Sequence, residues 1–68
     1  MENNLKFYRD QLGITQEQLA TLVGVSRQSI ISIEKGQYVP TTLLALKLAS
    51  VLKVAVESVF QLEKKDWK

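Results

Sequence analysis

Apolar side chains recur along this chain at intervals of three and four, the spacing of one helix face, in runs separated by cap and turn residues. Leu5, Tyr8 and Leu12 form the first run, with Lys6, Arg9 and Asp10 on the opposite side and Gly13 as its stop. Leu19, Ala20 and Val23 form the second. Thr15 precedes it as an N-cap, with Gln18 three residues on, and Ile14 is placed to pack on Leu19 as a hydrophobic staple. Gly24 allows a left-handed turn, Val25 returns the chain to the core, and Ser26 opens a third helix, about Ser26 to Lys35, that buries Ile30 and Ile33 and ends at Gly36. Gln37 to Pro40 make a loop, since Pro40 has no amide donor and keeps Val39 extended.

Thr41 or Thr42 caps a fourth helix reaching Leu52, in which Leu44, Leu48, Ala49 and Leu52 share the core stripe. Leu43 and Leu46 lie off that stripe, which implies either a wide buried face or a subunit contact. Lys53 to Ala55 connect to a last helical turn, Val56 to Phe60, that buries Val59 and Phe60. The tail, 61–68, is either a frayed end or a short strand against another segment. The expectation is an all-α, five-helix domain.

The second and third helices meet at a turn short enough for a helix-turn-helix, Thr15 to Gly36. Outward on the third stand Arg27, Gln28, Ser29, Ser32 and Lys35, with Ser26 at its start. Singly, each is an ordinary solvated residue. Together they match the demands of the DNA major groove, where Arg pairs bidentately with guanine, Gln with adenine and Ser with either. The helix start also carries outward amides and a positive dipole end. Gln16, in the first turn of the second helix, is either plainly solvated or an anchor for a phosphate. Tyr38 and Lys35 flank the next loop and could hold the DNA backbone, or Tyr38 could cover the core edge.

Composition narrows the alternatives. Sixty-eight residues give one domain near the lower size limit for a self-sufficient core. With no cysteine and no histidine there is no disulfide, no thiolate zinc site and no imidazole base, and the commonest metal ligand is missing. No apolar run approaches the ~20 residues that span a bilayer, and Met1 to Asn4 does not resemble a signal peptide, so a cytoplasmic protein is expected. Nine Lys and Arg against seven Asp and Glu leave a net charge of +2, too mild to identify a partner. The acidic residues Asp10, Glu17, Glu34 and Glu57 fall on four different helices and read as solvated, without a glycine-rich phosphate loop or a metal cluster beside them. No enzyme, cofactor or metal site is expected.

The run LGITQEQLATLVGVSRQSIISIEKG at 12–36, Pro40, and LALKLASVL at 44–52 together resemble the phage-repressor and Cro group of helix-turn-helix regulators, the Xre family. The resemblance spans about Leu5 to Phe60 and implies a lambda-repressor-like fold. It places Gln16 on a phosphate-anchoring position and Arg27, Gln28 and Ser32 on base-contacting positions, with Ser29 and Lys35 as weaker transfers. It pairs Arg9 with Glu34 as a buried ion pair, which the helical pattern alone would leave on the surface. Ala55 stands where relatives often carry a capping serine, and Leu43 replaces a usual polar residue, which strengthens the case for a subunit contact. The function implied is a repressor that binds double-stranded DNA as a homodimer on a palindrome, with Leu43, Leu46, Val56, Phe60 and Trp67 as candidates for the dimer surface. A rival expectation is an antitoxin-type module whose main task is to mask a partner protein.

Overall fold

Short polar side chains start three of the helices, and left-handed residues stop four of them. The computed structural model describes residues 1–67. In chain order these form β1 (Glu2–Asn3), α1 (Leu5–Leu12), α2 (Gln16–Val23), α3 (Arg27–Glu34), α4 (Thr42–Leu52), α5 (Val56–Val59), β2 (Phe60–Gln61) and a 3-10 turn at Lys64–Trp67. Thr15, Ser26 and Thr41 each accept the amide of the residue three positions on, which satisfies an otherwise free donor. Thr15 and Gln18 complete a reciprocal capping box, with Thr15 N–H donating to Gln18 Oε1 at 2.8 Å. The sequence left Thr41 and Thr42 as alternatives; Thr41 is the cap.

Helices α1 to α4 all end in the Schellman manner, in which an amide just past a left-handed residue reaches back five residues. Ile14 donates to the Arg9 carbonyl, Val25 to Ala20, Gln37 to Ser32 and Val54 to Ala49. Gly13, Gly24 and Gly36 supply the positive φ at three of these ends, whereas Lys53 does so at the fourth with φ 60°. At α5 the expected weak start is present: Ala55 makes no side-chain cap, and the helix is four residues long.

The core is continuous through all five helices. Leu5, Leu19, Ala20, Val23, Ile30, Ile33, Leu44, Leu48, Ala49, Leu52 and Val59 are buried, with Ile14, Val25 and Phe60 packed at its margin. Three expectations need correction. Leu12 is 43% exposed while Arg9 is only 8% exposed, so the arginine takes the buried line four residues on from Leu5, where Glu34 and a backbone carbonyl receive its charge. Glu34 likewise leaves the solvated class, with its side chain 6% exposed. Phe60 is half-buried and lies outside the last helix, because the chain turns extended there (φ −123°, ψ 130°).

That turn begins β2, which pairs antiparallel with β1, Glu2 opposite Gln61 and Asn3 opposite Phe60. Of the two alternatives for the tail, the short strand is present, though it begins one residue before the tail and includes only Gln61 of it. Its partner is the segment before α1, to which the sequence pattern assigned no structure. Asn4 reinforces the junction, its amide donating to the Val59 carbonyl at 2.7 Å. The Met1 ammonium pairs with Glu63 at 2.8 Å and Asp66 at 3.1 Å. Lys68 lies outside the described residues.

Candidate nucleic-acid interface

α3 is eight residues long, with Ser26 and Lys35 as its caps, so the predicted span of 26 to 35 includes one cap residue at each end. Burial of Ile30 and Ile33 turns the opposite stripe outward. Arg27, Gln28 and Lys35 are exposed, and Ser32 is half-buried beside them. One residue of that stripe escaped the sequence reading. Ile31 lies four residues from both Arg27 and Lys35 and is half-buried on the same side. It is the apolar member of an otherwise polar stripe, and a thymine methyl is read by an apolar contact.

Ser26 and Ser29 are engaged within the helix start. Ser26 Oγ accepts the Ser29 amide at 3.2 Å, and the two hydroxyl oxygens lie 3.1 Å apart. Their arrangement fixes the first turn of α3 and leaves the amides of Arg27 and Gln28 without partners among the described residues. The same holds for the first amides of α2, at Gln16 and Glu17. Both helix starts therefore offer unpaired N–H donors of the kind that receive phosphate oxygens. Tyr38, in the loop after α3, is 42% exposed, which leaves its ring available rather than committed to the core edge.

Gln16 is tied to the ion pair that holds the end of α3. Arg9 Nε donates to Glu34 Oε2 at 2.7 Å and Arg9 Nη2 to Oε1 at 3.4 Å, while Gln16 Nε2 donates to the same Oε1 at 3.1 Å. Arg9 Nη1 reaches the Ile14 carbonyl at 2.9 Å, on the link between α1 and α2. The Glu34 carboxylate raises the Arg9 pKa above its already high ordinary value, so the guanidinium stays charged. Gln16 uses one amide hydrogen on Glu34, and the second remains for an anionic oxygen. With Glu34 buried against Arg9, the charges left exposed between 15 and 36 are Arg27 and Lys35 against Glu17 alone. The outward surface of this segment is cationic even though its formal charges cancel.

The suggested subunit residues divide. Leu43 and Leu46 are 65% and 53% exposed, which resolves the second leucine stripe of α4 as surface rather than a wide buried face. Leu46, Val56 and Phe60 come together with Val39, Pro40 and Ala45 around an apolar groove of about 270 Å³. Leu43 stands outside its lining. Trp67, 75% exposed, is also outside it.

Comparison with known proteins agrees with this architecture. The helix-turn-helix family profile, that of the Cro/C1-type regulators, matches residues 5–59. An uncharacterised HTH-type transcriptional regulator of Methanocaldococcus jannaschii is 52% identical over 60 residues, covering 88% of this chain and 91% of its own. The uncharacterised HTH-type transcriptional regulator YgzD of Bacillus subtilis is 46% identical over 66 residues, 97% of this chain and 100% of its own. Among solved structures, the restriction-modification controller protein C.AhdI of Aeromonas hydrophila superposes with a TM-score of 0.76 at 34% identity, over 82% of this chain and 85% of that one. Among the described residues no helix is long and apolar enough to cross a membrane. With its capped helix pair, its outward stripe on α3 and a family match that runs from the first helix to the last, the chain belongs to the Cro/C1-type, or Xre, family of helix-turn-helix transcriptional regulators.

Proposed function

We propose that this regulator is a repressor that reads a palindromic operator as a homodimer, with α3 in the major groove. The observation that carries the reading is the outward stripe Arg27, Gln28, Ile31, Ser32 and Lys35 along α3, accompanied by the starts of α2 and α3, whose first amides have no partner among the described residues. Arg27 and Gln28 suit guanine and adenine edges, Ser32 accepts or donates, and Ile31 suits a thymine methyl. Gln16 and the amides of α2 hold a phosphate on one side, and Lys35 and Tyr38 hold the backbone on the other. Ser26 and Ser29 shape the turn that presents these donors. One such helix contacts few base pairs, so a second copy related by a twofold axis supplies the other half-site, ~34 Å away. The groove at Leu46, Val56 and Phe60, with exposed Leu43 nearby, is the surface through which the copies meet.

Selection on random-sequence duplexes at fixed salt, followed by titration, tests this. A palindrome should be recovered, and Arg27→Ala should lose ~1 to 3 kcal/mol with relaxed preference at one base position in each half-site. Gln16→Ala should weaken binding to all sequences alike. A folded Arg27→Ala protein with unchanged affinity and unchanged preference would overturn the assignment of α3 as the reading helix.

A further inference from the structure

Asn3 occupies a position that none of the reading residues explains. Its side-chain Nδ2 donates to the carbonyl of Ile33 at 2.9 Å, thirty residues away and one residue before the end of α3. Its Oδ1 accepts the Leu5 amide at 3.2 Å, which fixes the side chain at the start of α1. The same Ile33 carbonyl accepts the Gly36 amide at 2.9 Å, so both of its lone-pair directions are used. Glu34, the next residue, is held by Arg9 and Gln16. In side-chain hydrogen bonds, the last turn of α3 is thus held at two consecutive residues from three different elements, whereas its first turn has only its own cap beside the core packing of Ile30.

The backbone of Asn3 belongs to β1, whose only strand partner among the described residues is β2. Asn3 sits directly opposite Phe60 there, and Phe60 lines the apolar groove. One residue therefore touches the end of the reading helix with its side chain and the edge of the groove with its backbone. We infer that Asn3 is a positioning residue that transmits the placement of Phe60 at the subunit groove to the C-terminal half of α3, and so sets how deeply Ser32 and Lys35 enter the DNA. The inference rests on the proposed reading of α3 and of the groove, and adds a mechanical link between them. Pairing of two copies then adjusts the reading helices as well as duplicating them.

The test uses the full chain and the duplex recovered by selection. Asn3→Asp keeps an oxygen for the Leu5 amide but removes the donor and turns a carboxylate oxygen toward the Ile33 carbonyl; Asn3→Ser keeps a short acceptor that cannot span to Ile33. Sedimentation gives the dimer constant, and titration at concentrations where every protein is dimeric gives affinity and base preference. Both variants should dimerise as wild type does and bind the duplex roughly three- to tenfold more weakly. The lost preference should concentrate at the base pair beneath Ser32, with the preference due to Arg27 retained. Wild-type affinity and preference in folded variants, or an equal loss at every base position, would overturn the inference and leave Asn3 a purely structural contact. Arg27→Ala is run beside them: if it too binds as wild type, the reading-helix assignment itself has failed and the link falls with it.

Discussion

Arg9 Nε lies 2.7 Å from Glu34 Oε2, and this contact joins the first helix to the last residue of α3. With both side chains below 10% exposure, the pair behaves as an interior ion pair, in which removal of one member strands the other. Glu34→Ala should cost about 3 kcal/mol or more in urea denaturation, because Arg9 keeps only the Ile14 carbonyl and the outlying Asp10. Replacing both, with Arg9→Met and Glu34→Leu, should recover most of that loss. A Glu34→Ala penalty below about 1 kcal/mol would place the pair with exposed salt bridges.

Under the proposed function the groove serves association rather than folding. Leu46 is exposed in the isolated chain, so Leu46→Glu should change unfolding free energy by less than about 0.5 kcal/mol. Across a twofold axis it would bring two carboxylates together in an apolar setting. The dimer constant should weaken by at least roughly tenfold, about 1.4 kcal/mol. Sedimentation equilibrium that gives the same mass distribution for variant and wild type would remove this groove from the interface.

Two positions near α5 are suboptimal in ways that substitution should reveal. Ala55 caps nothing, and Ala55→Asp or Ala55→Ser should add about 1 kcal/mol by satisfying a free amide of α5. Lys53 holds a left-handed backbone that costs a residue with a Cβ roughly 1 kcal/mol, so Lys53→Gly should also stabilise. Thermal unfolding measures both. The two gains should add only in part, since the sites are two residues apart; a lower Tm for Lys53→Gly would contradict the assignment of strain there.

The 3-10 turn has its own acid sensitivity. The Asp66 carboxylate accepts the Glu63 amide at 2.8 Å and faces the Met1 ammonium, and these hold its pKa below the ordinary 3.8, the amide contributing most. A lowered carboxylate pKa favours the folded turn above the ordinary value, and that advantage is lost as pH falls through the lower folded value. NMR titration of the Glu63 amide should show a midpoint below 3.8, with the turn loosening only in stronger acid. A midpoint at or above 3.8 would mean that the turn gives Asp66 no preference for its charged form.

Much of the helical framework was legible because cap residues and apolar spacing act locally. Thr15, Ser26, Gly13, Gly24 and Gly36 announce ends that need no knowledge of the rest of the chain. What stayed hidden depends on distant partners. Arg9 reads as surface until Glu34 is known to receive it, which only the family resemblance suggested. Asn3 gives no periodic signal, and two of its partners, Ile33 and Phe60, are far along the chain. Ile31 was missed for the opposite reason, as an apolar residue discounted on a face expected to be polar. Arg27, Gln28, Ser32 and Lys35 do share one side of α3, as their spacing required, but spacing could not show that Ser26 and Ser29 turn their hydroxyls to each other.

The brevity of α3 has a consequence for the lifetime of the protein. A helix of eight residues does not persist alone in water, so the surface it carries exists only while the whole core is assembled. Under the proposed function, operator DNA is then a ligand of the folded state alone, and at a hundredfold excess over Kd it adds about 2.7 kcal/mol to stability. Proteases that act on opened chains would fall mainly on copies that are off the DNA. Operator occupancy and turnover become two readings of the same equilibrium.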